Sequence, residues 1–365
     1  MTPLAELALL FLRLGTTAFG GPAAHIALME EEIVRRRAWL TREEFLDLLG
    51  ATNLIPGPNS TEMAIHIGRR RAGWAGLVVA GACFIVPSTL MVVAIASAYV
   101  RWGALPQADA VLRGMKPVII AVVAQALYAL GRAAVKDAFL TAVGVAAVVA
   151  TALGANELAV LVAAGALVAA ARAARPAAAA LLALPAVPVA AAPFSLTLLF
   201  LTMAKIGAVL FGSGYVLLAF MRADFVDRLG WLTEAQLLDA ISVGQITPGP
   251  VSTAATFVGY LLGGVPGAGI ATAGIFLPAF VFVALSGALV PRLRRSRVAG
   301  AFLDGVNVAS LALMAVVGWQ LGRAAIVDLP TAALAAASAV ALLVWRVSSL
   351  WLLAAGALLG LALFR

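Results

Sequence analysis

The sequence is short of charged residues. Only 12% of its 365 residues are charged and 63% are hydrophobic, whereas an ordinary soluble domain is about 25% charged. Residues 73–100, 176–204 and 240–291 contain no charged residue at all. A membrane-spanning helix needs about 20 predominantly apolar residues, so each of these stretches is long enough to cross a bilayer. The composition therefore predicts an all-α polytopic membrane protein.

Cysteine and histidine are also scarce, which excludes several kinds of site. The chain has 1 Cys and 2 His, so we expect no disulfide, no metal site and no cofactor bound through such residues. A Walker A pattern is absent, and we therefore expect no ATP hydrolysis by this chain. The net charge of +8 is typical of the cationic loops that set membrane topology. We expect membrane lipids, and no nucleic acid, as partners.

The strongest pattern in the sequence is an internal duplication. A shift of 192 residues aligns Phe19-Gly20 with Phe211-Gly212, and Pro56-Gly57-Pro58 with Pro248-Gly249-Pro250. After the loss of one residue, a shift of 191 aligns Pro87 with Pro278 and Asp137 with Asp328. We therefore predict two homologous halves, 1–172 and 194–365, joined by an Ala/Pro-rich linker at 173–193.

The arginine clusters indicate how each half is oriented. The arginines at 69–71 precede a long apolar segment, whereas those within 292–297 follow the equivalent segment of the second half. Because basic loops favour the cytoplasm, equivalent segments should run in opposite directions. We predict two inverted-topology repeats of about five spans each, with a PGP-broken helix in each half. This gives about ten spans in total with both termini outside, an arrangement typical of secondary transporters.

The two Pro-Gly-Pro motifs define the predicted substrate site. Each breaks a helix and opens a new one, and the free N–H groups and positive dipole of a helix N-terminus favour anions. Arg13 and Lys205 occupy equivalent positions inside apolar segments, where a cation marks a substrate path. Together these features predict a site for a small dianion. Its predicted residues are Arg13, Gly20, Gly21, Asn53, Gly57, Asn59, Ser60, Thr61, Lys205, Gly212, Ser213, Gln245, Gly249, Ser252 and Thr253.

Glu62 and His66 are candidates for proton coupling. They share one face of the helix that follows the first motif, and histidine titrates near neutral pH. A plain Glu–His hydrogen bond, or a histidine at the membrane surface, explains the pair equally well. Arg13 and Lys205 also have a simpler interpretation, because long cationic side chains can extend to the membrane interface.

Several short motifs give the sequence a family resemblance. They are Phe19-Gly-Gly-Pro-Ala-Ala-His25, Trp39-Leu-Thr41, Pro56-Gly-Pro58 and Gly68-Arg-Arg-Arg-Ala-Gly73, with a degenerate second copy. With them the chain resembles the bacterial chromate ion transporter family in its long, two-domain form. The resemblance implies a transporter of the bacterial inner membrane, not an enzyme. Such a protein would export chromate, or a similar tetrahedral oxyanion such as sulfate, and confer chromate resistance.

Other functions stay open from the sequence alone. An oxyanion channel on the same scaffold, or a carrier for another anion, has the same broken helices. An intramembrane serine hydrolase built on Ser213 is disfavoured, because this serine aligns with Gly21 in a structural break. Whether the protein forms a homodimer is also left open.

Overall fold

The computed structural model describes residues 2–19, 21–103, 105–172, 193–211 and 216–364, without the side chains of 287–289 and 291–295. Gly20, Gly212, Ser213 and nearly all of the predicted linker lie outside these ranges. Within them the chain forms fourteen α-helices and no strand. They are α1 Pro3–Thr17, α2 Gly21–Glu30, α3 Arg42–Thr52, α4 Asn59–Trp102, α5 Pro106–Ala134, α6 Ala138–Ala152, α7 Glu157–Arg172, α8 Leu196–Val209, α9 Leu217–Met221, α10 Glu234–Ile246, α11 Ala254–Arg295, α12 Arg297–Ala325, α13 Leu329–Leu343 and α14 Ser349–Leu363.

Long apolar helices make the chain a multi-pass membrane protein. Among the described residues, four helices are long and apolar enough to cross a bilayer, and four shorter apolar helices accompany them. The long ones are Asn59–Trp102, Pro106–Ala134, Val251–Ser286 and Arg297–Ala325. The count of about ten spans, the inverted topology and the domain boundaries stay predictions.

The two longest helices, α4 and α11, each fold back on themselves at a glycine. Gly73 and Gly264 have φ of +61°, a conformation that glycine adopts at little cost. Each helix therefore has a short arm (59–71 or 254–262) and a long arm (74–102 or 265–295). In α4, Gly68 and Gly76 lie so close that a Cβ on either would collide with the backbone of the other. The two arms therefore pack as a tight antiparallel hairpin.

In the first half, the elements before the long arm of α4 form two hairpins that start at one end of the molecule. The first hairpin is α1 with α2, and the second is α3 with the short arm of α4. Glu6, near the start of α1, pairs with Arg71 at the end of the short arm (3.1 Å). Arg70 pairs with Glu44 in the first turn of α3 (2.9 Å). We call this end, which carries the arginines at 69–71, the arginine face.

The position of α1 corrects one expectation about topology. With both termini outside, Glu6 would lie across the membrane from Arg71, and the ion pair between them contradicts this arrangement. The physical reason is that α1 and α2 form a hairpin, so the chain comes back towards the end at which Glu6 lies. His25 of α2 contacts the carbonyl of Ala18, just beyond the end of α1, at 3.1 Å. The chain has therefore turned back at this point.

In the second half, the equivalent hairpins start from the opposite end. The long arm of α4 leads away from the arginine face, and Tyr99 near its far end donates a hydrogen bond to Asp239 of α10 (2.9 Å). A Cβ on Gly263, at the turn of α11, would lie 3.0 Å from Phe194, which precedes α8. Both α8 and α10 therefore begin at the face opposite the arginine face.

The remaining helices of each half pack mainly against helices of the other half. Helix α5 of the first half packs against α13 and α14 of the second, whereas α12 packs against α6 and α7. Close glycine contacts support both interfaces, because a Cβ on Gly114 would collide with Gly356 and one on Gly305 with Ala164. Each long helix is thus covered by the short helical pair of the other half.

Candidate functional site

Two reciprocal backbone hydrogen bonds join the broken helices of the two halves. The N–H of Gly57 donates to the carbonyl of Leu210 at 2.8 Å, and the N–H of Gly249 donates to the carbonyl of Ala18 at 2.9 Å. Ala18 and Leu210 are equivalent residues that follow α1 and α8. Each Pro-Gly-Pro motif therefore contacts the end of the first helix of the other half. We call this meeting point the central junction.

Gly57 and Gly249 are required at the central junction for their conformation and for space. Their φ values are +147° and +86°, which residues with a side chain rarely adopt. A Cβ on Gly249 would lie 2.7 Å from Ser88 Oγ, and one on Gly57 would collide with the carboxyl group of Glu62. Ser88 also donates a hydrogen bond to the carbonyl of Pro248 (2.7 Å), which fixes the second motif against the long arm of α4.

Each motif opens a helix that has no side-chain cap. Pro58 is the N-cap of α4, and Pro250 is the N-cap of the single 3₁₀ turn Val251–Thr253 that leads into α11. Neither makes a side-chain capping bond, and the first N–H groups of a helix have no partner within it. These N–H groups and the positive ends of both helix dipoles suit an anion.

The four hydroxyl side chains predicted for the site are all buried. They are Ser60, Thr61, Ser252 and Thr253. Thr253 donates to the carbonyl of Pro250 at 2.8 Å, so its hydroxyl hydrogen is already used. Thr61 Oγ1 has no partner among the described residues, so it is available to a ligand.

The equivalent amides Asn53 and Gln245 differ in their surroundings. Asn53 is exposed and accepts a hydrogen bond from Asn59 (3.1 Å). Gln245 is buried, and its Nε2 has no partner in the part of the chain that the structure describes. A buried donor without a partner is costly, so an acceptor from a ligand would stabilise it.

Arg13 and Lys205 form equivalent ion pairs, which were not among the predictions from the sequence. Arg13 lies 2.6 Å from Glu32, and Lys205 lies 2.5 Å from Asp224. The carboxylates are themselves equivalent, at a shift of 192 residues, and this registration was the signal that could have revealed them. The cations are therefore engaged by carboxylates and are not free charges at the junction. Further partners of the two carboxylates are Arg36, Arg37 and Arg228.

Glu62 and His66 lie on the short arm of α4, with Glu62 nearest the central junction. The side chain of Glu62 is 0% exposed, and neither of its carboxyl oxygens has a partner among the described residues. The Glu–His hydrogen bond considered above is therefore not formed. His66 is also buried, with Nε2 unpartnered in the described part of the chain.

The two faces of the molecule differ in access to the junction. Helix α5 starts at the far end of α4 and runs back towards the arginine face. The C-terminal residues of α5 therefore lie towards that face. There a pocket of about 160 Å³ reaches Asn53 and is lined by Asn307 and Ser310. At the opposite face Lys116, the equivalent of Asn307, lies 3.0 Å from Asp239, and both are largely buried. A pocket therefore lies on the side of the arginine face, and a buried ion pair lies on the opposite side.

Comparison with known proteins gives consistent matches along the chain. The family described as Chromate transporter matches residues 5–171 and again 197–361. The chain is 34% identical to the chromate transport protein of Cupriavidus metallidurans, over 99% of this chain and 93% of that protein. It is 32% identical to a probable chromate transport protein of Synechococcus elongatus, over 90% and 87% of the two chains. It is also 32% identical to the chromate transport protein of Pseudomonas aeruginosa, over 83% and 77%. No solved structure matches.

Proposed function

Because this chain belongs to the chromate transporter family, we propose that it is a secondary transporter that exports chromate, or a similar tetrahedral oxyanion such as sulfate. The proposal places it in the bacterial inner membrane, where export would confer chromate resistance. The observation that carries the proposal is the pair of reciprocal hydrogen bonds at the central junction. They tie each uncapped helix N-terminus to the other half, which supports a site shared between the halves, and two helix N-termini at one site favour a dianion.

The proposed scaffold is a pair of inverted repeats with the junction near the membrane midplane. Support comes from the hairpins, which start at the arginine face in the first half and at the opposite face in the second. The concentration of arginine at 69–71 makes that face cytoplasmic. The pocket at Asn53 then opens to the cytoplasm, from which an exporter takes its substrate.

The proposed substrate site lies between the two helix N-termini. A tetrahedral dianion presents four acceptor oxygens, and the junction offers uncapped N–H groups, the Thr61 hydroxyl and the Gln245 amide. Arg13 and Lys205 take part by exchanging their carboxylate partners for the substrate. Support for this exchange is that Glu32 and Asp224 each keep another arginine when the first cation leaves.

The Lys116–Asp239 pair is the proposed lock of the opposite face, which opens when substrate is released on that side. Asp239→Asn removes one charge of the Lys116–Asp239 pair and should expose the second-half motif. The accessibility of this motif is measured with Gln245→Cys in a Cys83→Ala background. We expect its thiol to react several-fold faster with a membrane-impermeant reagent added outside when Asp239→Asn is also present. Asp109→Asn, an exposed acid near the same face, is the matched control. An unchanged labelling rate in Asp239→Asn would show that this pair is not the lock.

The proposed function is tested by uptake of labelled chromate into inside-out membrane vesicles. We expect saturable uptake that shows counterflow and competition by sulfate, and that responds when a pH gradient is imposed or collapsed. Vesicles without the protein are the control. Flux that rises in proportion to the potential without saturating would identify a channel instead, and absence of chromate flux would contradict the proposal altogether.

A further inference from the structure

Among the residues that the structure describes, Glu62 is the one buried acid without a cation partner. Glu32, Asp224 and Asp239 are buried too, and each is paired with a cation. Glu62 is 0% exposed, and its carboxyl oxygens have no partner among the described residues. An unpaired charge in such surroundings is very unfavourable, so a carboxyl group here is stable only with a proton bound.

The location of Glu62 couples this proton to the substrate. Its carboxyl group lies against Gly57, where a Cβ would collide with Oε1, so it is directly at the central junction. A negative charge at this position would repel a dianion held at the helix N-termini, whereas the protonated form would not. Proton binding and dianion binding should therefore favour each other. The equivalent residue of the second half is Ala254, so only the first motif has this property.

In the described part of the chain, no cation is paired with Glu62 that could replace the proton in this role. The long arm of α4 contains no charged residue between 73 and 100, and α11 contains none up to 291. The neighbouring helices α1, α2, α3, α8 and α10 each carry a titratable side chain within the helix that has another contact. These side chains are Arg13, His25, Asp47, Lys205 and Asp239.

The short arm of α4 also offers a route for the proton. His66 lies one helical turn beyond Glu62 on the same face, and Arg69 follows at the arginine face. Arg69 donates hydrogen bonds to the carbonyls of Val283 and Ala284 (2.6 and 2.5 Å), so it is held against α11 and leaves His66 between it and Glu62. The titratable imidazole therefore stands between the cytoplasmic face and the buried carboxyl group.

We propose that Glu62 binds a proton that travels with each oxyanion, so that this chain cotransports one proton with its substrate. The inference rests on the proposed function and adds the coupling ion to it. Each cycle would then move a net charge of −1 instead of −2 when the substrate is a dianion. The proton binds to the Glu62 carboxylate in the cytoplasm-facing state and is released from it after the substrate leaves on the other side.

The test uses purified full-length protein in liposomes that contain a pH-sensitive dye, at a pH where chromate stays a dianion. With the wild-type protein, an inward chromate gradient should acidify the lumen in step with chromate entry. Glu62→Gln mimics the protonated carboxyl group, so it should still exchange labelled chromate at equilibrium but lose the accompanying proton movement. Glu43→Gln, which changes an exposed acid on α3, is the matched control. This variant should transport both chromate and protons.

A second variant guards against a folding defect. Glu62→Ala copies the residue that the second half carries at this position, so a small side chain fits this site. Proton movement that persists in either variant would overturn the proposal, as would loss of chromate exchange in both or a requirement for Na⁺. If wild-type liposomes move chromate without protons, only this inference fails. If they move no chromate, the proposed function itself fails.

Discussion

Gly249→Ala is expected to reduce chromate transport at least tenfold while leaving the amount of protein in the membrane unchanged. At φ +86° the new side chain is strained, and its Cβ would lie 2.7 Å from Ser88 Oγ and 3.2 Å from the carbonyl oxygen of Gly15. Backbone strain of this kind costs about 1–3 kcal/mol. The least disruptive response is to break the hydrogen bond from Gly249 to Ala18, which separates the second motif from the end of α1.

The matched control for this substitution is Gly269→Ala. Gly269 lies in the long arm of α11, and no atom lies within 4 Å of the position that its Cβ would take. In a helix, alanine is more favourable than glycine by about 1 kcal/mol, so this variant should transport normally. Transport by both glycine variants is measured as uptake of labelled chromate into inside-out vesicles. Equal uptake by the two variants would show that the geometry of the central junction does not matter for transport.

Arg13→Ala is expected to abolish transport, and removing its carboxylate partner as well should not restore it. If Arg13 binds the substrate, the double variant Arg13→Ala/Glu32→Gln still lacks that cation and stays inactive. If Arg13 only balances the charge of Glu32, the double variant removes that carboxylate as well and regains transport. The uptake assay distinguishes these outcomes, with membrane insertion measured in parallel.

The second half provides an independent copy of this comparison. Lys205→Ala and Lys205→Ala/Asp224→Asn repeat the experiment on the equivalent pair, whose atoms lie 2.5 Å apart. We expect chromate transport to be lost in the single and in the double variant. Recovery of transport in either double variant would remove that cation from the proposed site and leave the helix N-termini as its main component.

The sequence was a good guide to features that repeat in register. The duplication located both Pro-Gly-Pro motifs, and in the structure Gly57 bonds to the end of α8 and Gly249 to the end of α1. Helix-breaking residues report backbone geometry directly, because their φ preferences are local. The positions of these breaks were therefore predictable, whereas the partner of each break lies some 150 to 230 residues away in the chain.

The path of α1 could not be predicted from composition. Its 15 residues span about 22 Å at about 1.5 Å per residue, which is short of the roughly 30 Å hydrocarbon core. The apolar segment from which a span was expected extends slightly further, so hydropathy does not distinguish crossing from turning back. The registration of Glu32 with Asp224 marks the two acids as a repeated pair, but their contacts with Arg13 and Lys205 depend on where the chain reverses after the first helix of each half.

The central claim is that the two broken helices form one substrate site, and equilibrium binding of labelled chromate to the purified protein tests it most directly. We expect one bound chromate per wild-type chain, and almost none in either Gly57→Ala or Gly249→Ala. Gly269→Ala should bind like the wild type. Two bound chromates per wild-type chain, or one full site remaining in either junction variant, would contradict a site shared between the halves.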